Sequence, residues 1–169
     1  FDTNKVGYLN EAQVAKVTSI SCSTRGIASL KGIEYFTALK ELSCSSNALT
    51  ELDVSKNTAL TSLYCSSNAL TTLDVRGCTA LENVYFEGTA VTGVTLPNGG
   101  VVKVLHLPGT ITNLTVLNQP GITDFVCPDY SNITTLRLEN VSDQFDVFEI
   151  VEAMAAGSRV RLYNFHWVL

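Results

Sequence analysis

The chain has 169 residues, 46% of them hydrophobic and 16% charged, with a formal net charge of -5. That size supports one continuous apolar core rather than two independent domains. An acidic, charge-poor chain lacks the electrostatic footprint for nucleic acid, and no apolar run reaches the roughly 18 residues of a membrane span.

The opening segment, FDTNKVGYLNEAQ, starts as a calcium loop would, with Asp2, Asn4, Gly7, Leu9 and Asn10 at loop positions one, three, six, eight and nine. On those residues it resembles the calcium-loop half of dockerin modules. Val6 stands where that pattern wants Asp, and Gln13 replaces the bidentate Glu, so two carboxylate ligands are missing. The segment 1–16 therefore reads as a degenerate loop leading into a short helix capped by Asn10, with no metal and no cofactor. A chain that starts at Phe1 rather than Met, without a signal peptide, reads as a piece of a longer protein.

Repeats occupy residues 17–141. Between Leu39 and Ala80 the stretch LKELSCSSNALTELDVSKNTA is followed at once by LTSLYCSSNALTTLDVRGCTA, a period of 21 residues split into halves of ten and eleven. A unit this short cannot bury its own apolar face and must stack on copies of itself, which makes a solenoid. The motif L-x-x-L-x-[C/V] resembles the leucine-rich repeat, in the short two-strand form common in bacterial surface proteins. Apolar half-unit starts fall at Val17, Ile27, Leu39, Leu49, Leu60, Leu70, Leu81, Val91, Val101, Ile111, Ile122 and Ile133. Period-two alternation inside each predicts a short strand, so the fold is expected to be a β-rich solenoid of about six coils, with one parallel sheet per half.

After Val91 the turns become LPNGG, LPGT and NQPG, where Gly and Pro suit tight corners. This portion resembles tail-associated proteins of phages infecting gut Firmicutes, on the stretches ITNLTVLNQPGIT and SNITTLRLENV. Residues 142–169 are expected to cap the solenoid. Ser142 or Asp143 starts a helix with Phe148, Val151, Met154 and Ala155 on one face, Gly157 closes it, and RVRLYNFHWVL follows as a strand.

Counting along the repeats places Cys22, Cys44, Cys65, Phe86, His106 and Cys127 in one inward column of reduced, buried thiols and rings. Cys78 falls outside it, at a turn equivalent to Asn57, and is expected to be exposed. A His106–Cys127 pair has no third group to orient it, so neither catalysis nor zinc is read there. Asn47 and Asn68 hold matching turn positions, and the repeat resemblance implies that they form a ladder to backbone groups.

The outward column of the first sheet is expected to run Ser21, Ser43, Tyr64, Tyr85, Leu105, Val126, flanked by Glu41, Ser62, Asn83, Lys103 and Asp124. Exposed tyrosines beside short polar residues suit a protein or glycan ligand, which makes Tyr64, Tyr85, Glu41, Ser62, Asn83 and Lys103 the candidate binding residues. Leu105, Val126, Tyr163, Phe165 and Trp167 are candidate interface residues, for self-association or a larger assembly. On the second sheet Asp53 and Asp74, near Lys56 and Arg76, read as a solvated face continued by Thr95, Thr115 and Arg137. The sequence thus predicts a non-enzymatic recognition module, extracellular, on a cell surface or on a virion. The alternative is a structural part of a larger assembly such as a phage tail appendage.

Overall fold

The computed structural model describes residues 9–142, 146–154 and 156–163, with Tyr163 described by its backbone alone. The chain winds into a parallel-strand solenoid of about seven turns. The first sheet has six strands: β1 (Ser19–Ser21), β2 (Glu41–Ser43), β3 (Ser62–Tyr64), β4 (Asn83–Tyr85), β6 (Val104–His106) and β8 (Asp124–Val126). The second has four: β5 (Gly93–Thr95), β7 (Asn113–Gln119), β9 (Thr135–Val141) and β10 (Arg159–Tyr163). Every strand pair is parallel. Before the sheets comes the four-residue helix α1 (Glu11–Val14). Asn10 caps it through a reciprocal pair of 2.9 Å hydrogen bonds with Gln13, so the glutamine at the last calcium-loop position serves as a cap. The loop residues before Leu9 lie outside the described residues.

The core consists of stacked apolar columns. Leu42, Leu63, Val84 and Leu105 form one, and Leu39, Leu60, Leu81 and Val102 another, all at zero exposure. Each such side chain contributes about 2 kcal/mol of burial, but only where a neighbouring coil covers it.

The register after β4 departs from the sequence reading. Val102, not Val101, enters the core, while Val101 is 50% exposed. The half-unit that begins at Val91 holds one residue more than expected. Gln119 fixes this turn from the core: its Nε2 donates to the Pro97 carbonyl at 2.7 Å and its Oε1 accepts from the Val102 amide at 3.3 Å. A one-residue shift sends each side chain of a strand to the other face. Leu105 is therefore buried beside Val84, and His106 points outward beside Tyr85.

The second sheet also departs from expectation, because it begins only at β5. In the two preceding coils the Asp53 and Asp74 carboxylates accept from the amides of Ser55 and Arg76, at 2.9 and 3.0 Å. Such local bonds compete with a strand ladder. From β5 on, Thr95, Thr115 and Arg137 replace those aspartates and the ladder forms.

The last described coil carries helix α2 (Val147–Ala153) between β9 and β10, where the earlier coils have a first-sheet strand. Asp146 caps it by accepting from Glu149 N at 3.0 Å, rather than Ser142 or Asp143. Its buried face is Val147 and Ile150, whereas Phe148 is 62% and Val151 40% exposed. That corrects the predicted face by one position; Met154 is partly buried and Ala155 lies outside the described residues. The helix closes at Met154, which turns extended, and not at Gly157, whose φ of +88° lies in the turn before β10; β10 joins β9 in parallel. No helix among the described residues is long and apolar enough to cross a membrane.

Two rows of side chains pair the turn backbone. Asn68, buried, takes the Leu49 amide and gives to the Cys44 and Cys65 carbonyls, at 2.9–3.1 Å. Asn47 does the same one coil earlier, for the amides of Arg25 and Ile27 and the carbonyls of Cys22 and Cys44. On the other side of the coil Asn57 donates to the Ile33 and Phe36 carbonyls. At the next repeat Cys78 takes this place with a thiol bond to the Val54 carbonyl at 3.4 Å. Cys78 is at zero exposure, so the expectation of an exposed thiol fails because its turn position is an inward-facing one. Asn68→Ala strands two buried backbone groups, the Leu49 amide and the Cys65 carbonyl, and is expected to cost about 2 kcal/mol or more. Urea unfolding measures it, and the more exposed Asn47→Ala is expected to cost less.

Candidate functional site

The outward column of the first sheet reads Ser21, Ser43, Tyr64, Tyr85, His106 and Val126 in register. The parallel ladder spaces strands by about 4.8 Å, the distance at which rings stack. Tyr64 and Tyr85 lie with centroids 4.9 Å apart and planes 14° apart. His106 extends the row, 4.7 Å from Tyr85 but turned edge-on at 64°. Two carboxylates flank the ring. Nδ1 lies 2.8 Å from Glu87 Oε1, and Nε2 lies 3.2 Å from Asp124 Oδ2, within ion-pair distance but off the line of a hydrogen bond.

Glu87 also accepts from Ser66 Oγ at 2.7 Å. Burial opposes its charge, but the bonds from Ser66, its own amide and His106 outweigh it, and its carboxyl stays below the usual glutamate value. Burial raises the Tyr85 hydroxyl, helped by Tyr64, Asp124 and Glu87 nearby, so this phenol is a neutral donor.

Of the predicted binding residues, the fold brings Tyr64, Tyr85, Ser62, Asn83 and Glu41 to one face, where Asn83 Nδ2 donates to Ser62 Oγ at 3.1 Å. It does not bring Lys103 there. The register shift puts Val104 in the flanking row, and Lys103 pairs with Glu82 at 2.8 Å at the exposed start of the strand. Sequence reasoning placed His106 inside and missed Glu87. The signal was available, since Tyr64, Tyr85 and His106 repeat at the same 21-residue interval as the core.

Among the interface candidates, Leu105 is fully buried, which withdraws it. Val126 is 37% exposed on the edge strand β8. The Tyr163 side chain, Phe165 and Trp167 lie outside the described residues.

With His106 turned out, the inward column becomes Cys22, Cys44, Cys65, Phe86, Leu107 and Cys127, and all the cysteines are free thiols. Burial raises Cys44 to about 12, with the neighbouring Cys22 adding to the effect. It raises Cys65 well above the ordinary thiol value and Cys78 to about 11. Thiols that hold their protons in the core are poor nucleophiles. Among the described residues no three His, Cys, Asp or Glu side chains converge to hold a metal ion.

No family model matches the chain. A 58-residue stretch, 34% of the chain, is 40% identical to Internalin J of Listeria monocytogenes serotype 4b (strain F2365), of which it covers 6%. The solved functional domain of InlJ from Listeria monocytogenes, described as including a cysteine ladder, superposes with a TM-score of 0.57 at 26% identity. That match covers 90% of this chain and 42% of the other. The fold is a leucine-rich-repeat solenoid. The internalin InlF of Listeria monocytogenes str. 4b F2365 aligns at 14% identity and a TM-score of 0.45, over 93% of this chain and 50% of that one. The chain thus spans only a small part of the curated relative and less than half of the solved InlJ domain. The InlJ match runs through most of the portion after Val91, and the resemblance of that portion to phage tail-associated proteins finds no support.

The thiol column gives a pH prediction. Unfolded thiols ionise near 9.0, whereas Cys44 and Cys78 hold their protons to about 12 and about 11 when folded. The unfolded state is therefore favoured as pH rises past 9.0, and stability falls progressively toward those higher values. Urea midpoints at pH 8, 10 and 11 are expected to decline, and a Cys44→Ala, Cys78→Ala variant to decline less steeply.

Proposed function

We propose that this chain is a non-enzymatic, protein-binding leucine-rich-repeat module of a bacterial surface or secreted protein, and that its partner rests on the outward face of the first sheet around Tyr64, Tyr85 and His106. The observation that supports this reading best is the three-ring row, partly exposed on strands whose backbone is fixed by the ladder. Rings held in advance lose little entropy on binding, and tyrosine offers an apolar face with a polar tip. Ser62, Asn83 and Glu41 form the polar rim beside them. The likeness to InlJ supports the same class of module. Buried thiols, and a face that pairs no nucleophile with His106 among the described residues, speak against an enzyme.

A structural role in a larger assembly drew on Leu105, Val126 and the terminal aromatics Tyr163, Phe165 and Trp167 as contacts between chains. With Leu105 in the core, the described part of that surface is reduced to Val126, and the recognition reading is preferred.

The test is a screen of the purified chain against arrays of extracellular proteins and surface glycans, with a Tyr64→Ala, Tyr85→Ala double variant alongside. Affinity for protein partners is expected to fall about tenfold or more, with an unchanged circular dichroism spectrum. A folded double variant that keeps full affinity overturns the site, and hits confined to glycans overturn the partner class.

A further inference from the structure

The chemistry of the partner can be read from the same face, and this inference rests on the recognition reading above. Three surfaces differ in what they carry. Two grooves share Asp53 and Thr72, one bordered by Glu51 and the other by Asp74 and Arg76, and both are open; Arg76 answers Asp74 there at 2.6 Å. The row Asn98, Asn118, Asn140 on the second sheet satisfies itself through amide bonds of 2.9 and 3.2 Å. The tyrosine face alone combines unsatisfied aromatic surface with an unbalanced charge.

That imbalance is plain in the strands and the turns that follow them. In residues 19–25, 41–47, 62–68, 83–89, 104–110 and 124–130 the acids Glu41, Glu87, Asp124 and Asp129 outnumber the single cation Arg25, in the turn after β1, and Lys40 stands just before β2. Lys103, outside these segments, is already engaged with Glu82. Asp129 is turned to Ser131 and Asn132, while Glu87 and Asp124 lie against His106 in the row and Glu41 stands in the flanking row beside Ser62.

The aromatic row also has an open end. One face of Tyr64 is covered by Tyr85. The other faces the next strand position, which is Ser43 and then Ser21. Serine is too short to cover a phenol ring, so the row stops at a step. Glu41 stands on the same face as Ser43 at the start of β2, and Glu87 is held on the opposite, turn side by Ser66. A flat cation entering this step meets a ring face with a carboxylate toward either end.

We infer that the first-sheet face binds a basic segment of a partner protein, and that an arginine of that segment stacks on the open face of Tyr64 over Ser43. Guanidinium suits the step better than ammonium because it is planar, weakly hydrated and able to stack while its edge donates to carboxylates. Glu87 and Asp124, grouped around the Tyr85 hydroxyl and His106, extend the negative field along the row and favour further basic residues of the same segment.

Titration of the intact chain with an octa-arginine peptide, matched octa-lysine and octa-glutamate peptides and a neutral oligosaccharide, followed by fluorescence anisotropy at low salt, tests this. The arginine peptide is expected to bind tightest, to weaken with added salt, and to lose about fivefold in the Tyr64→Ala variant. Glu87→Gln is expected to weaken it about threefold, while Glu51→Gln on the other side of the coil leaves it unchanged. Tyr64→Phe, which keeps the ring and the fold, retains the arginine preference. Equal binding of the arginine and lysine peptides, or insensitivity to both Tyr64→Ala and Glu87→Gln, overturns the inference. If that occurs while the Tyr64→Ala, Tyr85→Ala variant still loses its partner in the screen, the chemistry is wrong and the site stands. If the double variant keeps its partner, the site itself falls.

Discussion

No coil of this molecule can bury its own apolar residues, and everything else in the structure follows from that dependence on neighbours. A three-residue strand is far too short to hold by itself. It is kept by two strands on either side, each offering parallel hydrogen bonds, and by a core column in which every leucine is covered by the leucine of the next coil. The turn amides and carbonyls face the same constraint. They leave water with the core, so Asn47, Asn57 and Asn68 reach across to the preceding coil, and where asparagine is absent the Cys78 thiol or the Thr89 hydroxyl takes over part of the task.

Periodicity made much of this legible. The 21-residue interval read from Leu39 to Ala80 gives the stacking, the inward cysteines and the adjacency of Tyr64 and Tyr85. What it could not give is the point where the interval changes. The slip at Val102 depends on Gln119, seventeen positions further along, whose buried amide holds the Val102 N–H and the Pro97 carbonyl. No local pattern announces a clamp from the next coil. The consequence was large because alternation is binary: one position moved Leu105 into the core and His106 onto the face. The missing early strands of the second sheet have a local cause that sequence does show. Asp-x-[SR] invites a side-chain bond to the amide two residues on, and a period-two apolar pattern alone does not weigh that competitor. The helix face failed by one position for a comparable reason, since the pattern allows several apolar stripes and the docking of Val147 and Ile150 against the core chooses among them.

Burial divides the polar chemistry of the chain into two parts with opposite fates. Inside, desolvation keeps the thiols of Cys44, Cys65 and Cys78 protonated and inert, so the cysteine column acts as a small apolar filler between leucines. Outside, Glu87 is only partly withdrawn from water and gains three hydrogen bonds, enough to keep its charge. The same solenoid thus presents a neutral interior column and an anionic exterior one, a few ångströms apart along each strand.

The outward row obeys the core's geometry without sharing its constraint. Strand spacing is set by backbone hydrogen bonds, and it happens to match the separation at which aromatic rings stack, so any two aromatics placed a full period apart on the outer face will form a ladder. Tyr64 and Tyr85 do so nearly in parallel. His106 does not: its ring stands on edge, with Nδ1 2.8 Å from the Glu87 carboxylate and Nε2 within 3.2 Å of Asp124. Replacing an outward residue leaves the buried columns and the backbone ladder in place, whereas replacing an inward one opens a cavity in every neighbouring coil. Surface chemistry can therefore vary coil by coil on a fixed scaffold, and the abrupt change from Ser43 to Tyr64 is such a variation: it ends a polar stretch and begins an aromatic one within a single repeat.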